Sequence, residues 1–446
     1  MEFTVKEISA VVGVPAESDA RIRGWSVDSR SLQAGDLFFA LRGPNHDGNS
    51  YLEEAFRKGA VAAVANRQSA GEVLVVPDTL VALQDVAAWA RDQWGGEVVG
   101  VTGSAGKTST KDIIAAMLST RMPVGKNVGN LNNHVGVPLS ILRLASNVRV
   151  AVLELAMNHA GEVRRLCEIA RPRIGVVTNV GHAHIEAFDS IEGIAAAKRE
   201  LIESLPADGV AVLNADDPLV ARFGEVHRGR TVTFGLSARA DVRAEEVEYG
   251  ADGVKFSVGG VRFESSLLGR HSILNFLAGI AVAGWYGIRP ERLTEIVRDT
   301  PAGPMRGEQF QHNGILILND CYNSNPDAAR AMIDVLRDTP ARRRIAVLGE
   351  MLELGRWSES LHRDVGNYVA ERGIDVLVGI RGAARDLVDA AQQAGHAVDA
   401  AFFFQEPAAA GDRLREIARR GDVILFKGSR GTHVELALER FLSAPN

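Results

Sequence analysis

The chain has 446 residues, of which 46% are hydrophobic and 24% are charged, as in folded globular proteins. Its formal net charge of −6 argues against nucleic acid or an anionic membrane as the main partner, because both require a basic binding surface. The two cysteines are far apart in the sequence, so no disulfide framework is expected. Without a signal-peptide pattern or an apolar run of about 18 residues, the sequence predicts a cytoplasmic protein that does not insert into membranes.

The length of the chain suggests about three domains. Residues 1–95 hold short apolar runs between helical and turn-like segments, which predicts a small N-terminal α/β domain. The segment 94–96, Trp-Gly-Gly, interrupts this pattern before a new apolar strand begins at residue 98. A domain boundary near residue 95 is therefore predicted.

Residues 96–303 repeat a rhythm of apolar strand, polar strand end and helical stretch. The near-continuous apolar runs at 148–156, 174–180 and 210–214 are typical of parallel strands covered on both faces. Residues 254–263 instead alternate strictly around a Gly-Gly pair, which predicts a β-hairpin. The sequence thus predicts a central phosphate-binding domain with a doubly wound, mainly parallel sheet and an edge hairpin.

Residues 304–446 follow a linker at 301–304 and repeat the alternation of apolar strands and helical segments. This pattern predicts a C-terminal Rossmann-like α/β domain. The fold class is therefore α/β with three domains and two clefts between them. In such sheets ligands bind at the carboxyl ends of the strands, so the residues that follow each strand are the candidates for chemistry.

A glycine-rich segment follows the strand that ends at Val101. It lacks the first glycine of the common phosphate-loop pattern, since Val101 stands at that position. The segment could also be a glycine-rich turn that binds no ligand. The Gly-Lys-Thr sequence between a buried strand and an amphipathic helix favours phosphate binding instead. Lys107 would neutralise the β- and γ-phosphates, and Thr108 would offer a hydroxyl to Mg²⁺. The predicted nucleotide-binding loop comprises Gly103, Ser104, Ala105, Gly106, Lys107, Thr108 and Ser109.

The shortened loop resembles that of the Mur ligase family, the ATP-dependent enzymes that form amide bonds in peptidoglycan precursor synthesis. Residues 25–48 are similar to the uridine-nucleotide-binding first domain of two branches of this family. Residues 130–138, 320–327, 349–355 and 427–431 resemble the branch that adds D-alanyl-D-alanine. The Asp-Asn-Pro-Arg tetrapeptide, common in the branch that adds a diamino acid, does not occur in the sequence.

The resemblance implies an ATP-dependent ligase that joins D-alanyl-D-alanine to UDP-N-acetylmuramoyl-tripeptide. The tripeptide carboxylate would first become an acyl phosphate, and ADP and phosphate would be released. Residues 1–95 would bind the uridine nucleotide, 96–303 ATP, and 304–446 the dipeptide. A monomer is expected, with an open resting conformation in which residues 305–446 rotate as a unit to exclude water.

The resemblance also implies a set of substrate-binding residues. They are Ser29, Arg30, Asp47, Gly48, Asn132, Asn133, Tyr322, Asn323, Asn325 and Arg430. Arg430 is the candidate partner of the free carboxylate of the dipeptide, because a carboxylate taken out of water needs an opposite charge.

Glu154 ends an apolar strand, where it could bind a metal ion or pair with a cation, and the resemblance favours Mg²⁺. His184 matches the family's metal-binding histidine, although Mg²⁺ usually prefers oxygen ligands. Lys198 lies on a predicted helix with no carboxylate three or four residues away, and the matching lysine of the family is often carbamylated. Two Mg²⁺ ions are therefore expected, held by Thr108, Glu154, His184 and Lys198. His182 matches no family position and is interpreted as a loop residue.

Three further residues are expected at the nucleotide by resemblance: Asn275, Arg306 at the γ-phosphate, and Asp320 at the ribose. A salt-bridged hinge between domains is the alternative for Arg306 and Asp320. The predicted catalytic residues are Lys107, His184, Lys198 and Arg306.

Two other functions stay open from the sequence. A nucleotide-dependent switch would hydrolyse ATP or GTP without an amine acceptor. A neighbouring ligase would add a diamino acid or glutamate to a related acceptor.

Overall fold

A computed structural model describes residues 2–443 of the chain. Met1 and residues 444–446, which are the outer ends of the predicted first and third domains, lie outside the described residues. Three α/β units follow one another along the chain, each built on its own largely parallel sheet. The α/β class with three domains is therefore confirmed. Within residues 2–443, no helix has both the length and the apolar character that crossing a bilayer requires.

The N-terminal unit has a parallel sheet in the order β3-β4-β5-β6, beside a short antiparallel pair, β1 and β2. Its first helix begins at a capping box between Thr4 and Glu7. Its elements are β1 (Phe3–Thr4), α1 (Val5–Val12), β2 (Arg21–Ile22), β3 (Gly24–Ser26), β4 (Asp36–Phe39), α2 (Leu52–Arg57), β5 (Ala62–Ala65), β6 (Val73–Val75) and α3 (Thr79–Trp94).

The central unit has a parallel seven-stranded sheet in the order β13-β12-β11-β10-β7-β9-β8. The strand order reverses beside β7, whose neighbours are β9 and β10, so the carboxyl ends of these strands form a ligand crevice. Its elements are β7 (Glu97–Thr102), α4 (Lys107–Ser119), β8 (Val124–Lys126), α5 (Gly136–Leu142), β9 (Val150–Glu154), α6 (Glu162–Ala170), β10 (Ile174–Val177), α7 (Ile191–Glu203), β11 (Val210–Asn214), β12 (Arg230–Gly235), β13 (Val242–Arg243), β14 (Glu245–Gly250), β15 (Gly253–Val258), β16 (Val261–Ser265), α8 (Gly269–Trp285) and α9 (Thr294–Asp299).

The predicted hairpin is confirmed as β15 and β16, which pair from Val258 opposite Val261. Gly259 and Gly260 between them have φ values of 56° and 80°, which glycine adopts without strain. With β14 the hairpin forms an antiparallel sheet separate from the main sheet of this unit. The rings of Phe256 on β15 and Phe276 on α8 stack at 6.2 Å and attach this sheet to the helix.

The C-terminal unit has a six-stranded sheet in the order β17-β18-β22-β19-β20-β21, in which β17 is antiparallel to β18 and the other pairs are parallel. The carboxyl ends of β18 and β22 lie side by side. Its elements are β17 (Glu308–His312), β18 (Ile315–Asp320), α10 (Pro326–Asp338), β19 (Arg343–Gly349), α11 (Ser358–Glu371), β20 (Val376–Ile380), α12 (Ala384–Gln393), β21 (Ala401–Phe404), α13 (Pro407–Ile417), β22 (Asp422–Lys427) and α14 (Glu435–Leu442).

Helix α3 joins the N-terminal and central units by packing on α5 and α6. The Gln84 side chain donates to the carbonyl oxygen of His134 at 3.1 Å and accepts from Arg165 Nε at 3.0 Å. Trp94 Nε1 donates to the carbonyl oxygen of Val148 at 2.8 Å. The side chains of Leu83, Val86 and Ala87 on α3 are also fully buried. They belong to a hydrophobic core that the two units share.

Candidate active site

A cavity of about 560 Å³ lies between the central and C-terminal units. One wall consists of the residues that follow β7, β9 and β10, and the other of those at the ends of β18 and β22 and the start of α10. The cavity brings together most of the residues predicted for the nucleotide, the metal and the dipeptide. Those that line it are Ser104, Ala105, Gly106, Lys107, Thr108, Ser109, Asn132, Asn133, Glu154, His184, Asn275, Arg306, Asp320, Tyr322, Asn323 and Asn325.

The phosphate loop requires glycine at two positions. Gly103 has φ 150°, and a Cβ atom there would lie 1.9 Å from the hydroxyl oxygen of Thr178. Gly106 has φ 78°, and its Cβ would lie 2.7 Å from Oδ1 of Asn275. Helix α4 then begins at Lys107 without a side-chain cap, so its first N–H groups and its dipole face the cavity. An anion is favoured at such a helix start.

Residues at the end of β10 support this loop. The Asn179 side chain accepts a hydrogen bond from Ala105 N at 2.8 Å and donates one to Ala105 O at 3.1 Å. The Ser104 hydroxyl donates to Gly181 O at 2.9 Å and accepts from Gly181 N at 2.8 Å. Asn179 and Gly181 were not predicted as site residues, although their place after an apolar strand was the available signal.

The predicted metal ligands Thr108 and Glu154 are in contact. The Thr108 hydroxyl donates to Glu154 Oε2 at 2.8 Å, and Asn132 Nδ2 donates to Oε1 at 2.8 Å. Only 2% of Glu154 is exposed. Asn132, predicted to bind substrate, therefore orients a carboxylate here. Lys107 Nζ donates to the carbonyl oxygen of Gly103 at 2.8 Å, and burial lowers the pKa of this amine.

Lys198 lies on α7 beneath this wall and does not line the cavity itself. Its side chain is 1% exposed, and its amine forms no hydrogen bond or ion pair with any residue of the part that the structure describes. Burial, and then repulsion from Lys107, holds the pKa of the Lys198 amine well below its ordinary value. Burial therefore favours the neutral form of this amine, which is its nucleophilic form.

Two histidines connect the central unit to the C-terminal unit. His184, at φ 62°, places Nδ1 2.6 Å from a carboxylate oxygen of Glu353, and this contact lowers the pKa of Glu353. His182 pairs in the same way with Asp327 at 3.0 Å, which raises the pKa of the imidazole. His182 is thus a loop residue, as expected, but one with an interdomain partner that the sequence did not indicate. The C-terminal unit is docked on the central unit in this structure, and opening stays a prediction.

The C-terminal wall presents paired charges and a cation on an aromatic ring. The guanidinium carbon of Arg306 lies 3.7 Å from the centre of the Tyr322 ring. Lys427 Nζ lies 2.5 Å from Asp320 Oδ2 and donates to the carbonyl oxygen of Asn323 at 3.0 Å. Lys427 is 2% exposed and was missed as a site residue, although it opens the segment 427–431. Asn325 accepts from Ala328 N and caps α10.

The remaining predicted residues lie elsewhere. The Arg430 side chain is 59% exposed outside the cavity, with Nη1 3.6 Å from Met305 Sδ and 3.7 Å from Glu435. Asn133, although it lines the cavity, accepts hydrogen bonds from the start of α5. The uridine-site candidates lie on the N-terminal unit, outside this cavity: Ser29, Arg30, Asp47 and Gly48.

Both cysteines are buried. Burial raises the pKa of the Cys167 thiol to about 12, and it also raises the pKa of Cys321, which adjoins the cavity. Neither thiol is therefore suited to act as a nucleophile.

The chain matches three family models: "Mur ligase family, catalytic domain" over residues 21–125, "Mur ligase middle domain" over 101–283, and "Mur ligase, glutamate ligase domain" over 305–430. The UDP-N-acetylmuramoyl-tripeptide--D-alanyl-D-alanine ligase of Bacillus subtilis is 34% identical over 455 residues, with 99% of each chain covered. The MurF structure from Acinetobacter baumannii is 28% identical, with a TM-score of 0.91 and 99% of each chain covered.

The MurF ligase of Thermotoga maritima, solved in complex with ADP, is 30% identical to the chain, with a TM-score of 0.84. The match covers 94% of this chain and 97% of that one. These matches run through all three units and include the phosphate loop. The chain is therefore an ATP-dependent ligase that belongs to the Mur ligase family.

Proposed function

We propose that the chain joins D-alanyl-D-alanine to UDP-N-acetylmuramoyl-tripeptide and converts ATP to ADP and phosphate, as a step of peptidoglycan precursor synthesis. The observation that carries this proposal is the shared cavity. The phosphate loop forms one wall, and segment 320–327, which resembles the branch that adds D-alanyl-D-alanine, forms the opposite wall. The name of the Bacillus subtilis relative supports the same pair of substrates.

The three units divide the binding work in this proposal. Residues 1–95 bind the uridine nucleotide through Ser29, Arg30, Asp47 and Gly48. Residues 96–303 bind ATP, and 304–446 hold the dipeptide beside Tyr322. The packing of the first two units on α3 supports this division, since it joins the acceptor to the phosphate loop.

The carboxylate of the tripeptide must be activated, because hydroxide is too poor a leaving group for an amine to displace near neutral pH. A carboxylate oxygen attacks the γ-phosphorus, the bond to the β-phosphate bridging oxygen breaks, and ADP leaves. Lys107 from one wall and Arg306 from the other stabilise the negative charge of this transfer. Two fixed cations lower the barrier because they need not reorganise as the charge moves.

The dipeptide amine then attacks the carbonyl carbon of the acyl phosphate. The tetrahedral intermediate loses a proton from nitrogen and expels phosphate, which carries away the former carboxylate oxygen. Water would destroy the acyl phosphate, so a cavity closed by the C-terminal unit protects it. The contacts of His182 and His184 with Asp327 and Glu353 support such closure.

Mg²⁺ fits the Thr108 and Glu154 oxygens, which are its preferred ligand type. Within residues 2–443 no group of three or more His, Cys, Asp or Glu side chains could hold an ion. A single carboxylate suits Mg²⁺, which commonly keeps waters and takes substrate phosphates as ligands. A bound ion would neutralise phosphate charge. His184, oriented by Glu353, and a carbamate on Lys198 would hold the second ion.

The test is phosphate release from ATP and Mg²⁺ with both substrates, with each substrate then omitted in turn and the product mass recorded. We expect release only when both are present, and a product heavier by the dipeptide less water. Release without the dipeptide would indicate a switch, and a product with a diamino acid would indicate a neighbouring ligase. The Lys107→Met variant controls for a contaminating ATPase.

The monomeric state and the cytoplasmic location stay predictions. Sedimentation would check the monomeric state.

A further inference from the structure

We propose that Asp327 is a positioning residue for the reaction, whose carboxylate fixes, from the C-terminal unit, the segment that supports the phosphate loop. This inference rests on the proposed function but goes beyond it. Asp327 lines the same cavity, and its carboxylate hydrogen-bonds His182 rather than the phosphate loop itself. It acts through Gly181 and His182, which belong to the central unit.

The position of Asp327 is set by the start of α10. Asn325 caps this helix by accepting from Ala328 N at 2.9 Å, and Pro326 occupies the first helical position. Asp327 therefore projects from the first turn of a thirteen-residue helix, directly after the segment that carries Tyr322 and Asn323. Any movement of that segment moves the Asp327 carboxylate with it.

One oxygen of this carboxylate binds the central unit twice. Asp327 Oδ2 accepts a hydrogen bond from the backbone N–H of His182 at 2.7 Å and lies 3.0 Å from its ring Nδ1. Hydrogen bonds to a charged acceptor are the stronger class in proteins. The backbone of residues 181 and 182 is thus held from the C-terminal unit.

The held segment supports the phosphate loop directly. Gly181 N donates to the Ser104 hydroxyl at 2.8 Å, and that hydroxyl donates back to Gly181 O at 2.9 Å. Ser104 and its neighbour Ala105 both line the cavity as parts of the predicted phosphate loop. A continuous path of hydrogen bonds therefore runs from Asp327 through the 181–182 backbone to the loop.

The approach is also close enough to depend on a glycine. A Cβ atom on Gly181 would lie 2.4 Å from Asp327 Oδ2, so the carboxylate would have to move. Gly181 is not among the glycines with positive φ, so alanine is compatible with its backbone. Gly181→Ala is therefore a second way to break the contact that leaves the aspartate in place.

The experiment measures kcat, the KM of each substrate and the Kd of ADP for the full chain with ATP, Mg²⁺ and both substrates. Asp327→Ala should lower kcat about tenfold or more, as for loss of a hydrogen bond to a charged group. The Kd of ADP, measured without the other substrates, should change less than about twofold, because Asp327 acts only when the units are docked. A helix damaged by the substitution would instead raise the KM of the dipeptide and lower the melting temperature.

Three further variants sharpen the result. Asp327→Asn keeps an acceptor oxygen and should retain kcat within about threefold of the wild type. Gly181→Ala should lower kcat as Asp327→Ala does, and the double variant should be no worse than either single one, since both remove the same contact. Asp189→Asn is the matched control, because it removes an exposed interdomain pair with Arg356, 3.6 Å apart, and should leave kcat unchanged.

Three results would each overturn the inference. The first is a wild-type kcat in Asp327→Ala, and the second is a fall in kcat in Asp327→Asn as large as that in Asp327→Ala. The third is a fall in kcat in the double variant equal to the product of the two single falls. An inactive wild-type chain would contradict the proposed function and this inference with it. Activity in the wild type together with unaltered variants would contradict only the inference.

Discussion

The phosphate loop of the central wall and the charged pair of the C-terminal wall are built differently. The loop is held through its backbone by a polar side chain that follows a neighbouring strand, as Asn179 holds Ala105. On the C-terminal wall, two charged side chains distant in sequence bind one another, as Asp320 does with Lys427. The phosphate loop is therefore set by the local geometry of one sheet, whereas the charged pair needs side chains from separate segments placed together.

The largest effect that tests this difference is expected at Lys107. Lys107→Met should lower kcat about 100- to 1,000-fold, because it removes a fixed cation from the migrating phosphoryl group. The loop should stay folded, since Asn179 and Ser104 hold it without the lysine. Steady-state kinetics and thermal unfolding check this, with the exposed Lys126→Met as control. A large fall in melting temperature would show that the central wall is not independent of this side chain.

The next effect is expected at Lys198, the buried lysine beneath the central wall. Carbamate formation needs a neutral amine, and the lowered pKa of Lys198 favours it at neutral pH. Lys198→Arg should therefore lower kcat about tenfold or more through loss of an ion ligand, since guanidinium stays charged. The measurement is kcat with and without added bicarbonate. Full activity of Lys198→Arg with saturating substrates would end the carbamate hypothesis.

On the C-terminal wall, Tyr322 is expected to position Arg306. Tyr322→Ala should lower kcat about tenfold through loss of the ring beneath the guanidinium, whereas Tyr322→Phe keeps that ring and should lose less than about twofold. Kinetics with saturating dipeptide separate this role from dipeptide binding. Equal losses in both variants would mean that the hydroxyl group, and not the stacked ring, matters.

The smallest effect is expected at His362, which supports the loop that carries Glu353. This buried imidazole accepts from Met351 N at 2.9 Å and hydrogen-bonds Ser358 O at 2.7 Å, and burial lowers its pKa. Below the ordinary histidine pKa of about 6.5 the unfolded chain binds a proton that the folded chain does not, so the free energy of unfolding falls as pH falls. His362→Gln should cost about 1 kcal/mol at pH 8.

The His362→Gln variant lacks this titration. The difference in free energy of unfolding between wild type and variant should therefore shrink as the pH is lowered from 8 to about 5. Urea unfolding across this range is the measurement, with the exposed His46→Gln as control. A deficit that stays constant with pH would show that His362 is not held neutral.

The difference between the walls also explains what the sequence could predict. The loop of Gly103 and Lys107, the parallel strands and the hairpin turn were predictable, since contiguous residues determine each of them. The pairs His184–Glu353 and Lys427–Asp320 were not, because residue spacing does not say which surfaces of distant segments meet. Arg430 illustrates the same limit, since its motif predicts a ligand contact while its side chain lies exposed against Met305.

Helix α3 has a further consequence for the choice of acceptor. It holds the N-terminal unit against the central unit through its packing on α5 and α6 and through Gln84 and Trp94. The distance between the N-terminal unit and Lys107 is therefore fixed by the fold. An acceptor bound at both ends would have to span this gap with its own peptide. The enzyme would then select its acceptor by length, because a peptide one residue shorter would leave its carboxylate roughly 3.5 Å short of the phosphate loop.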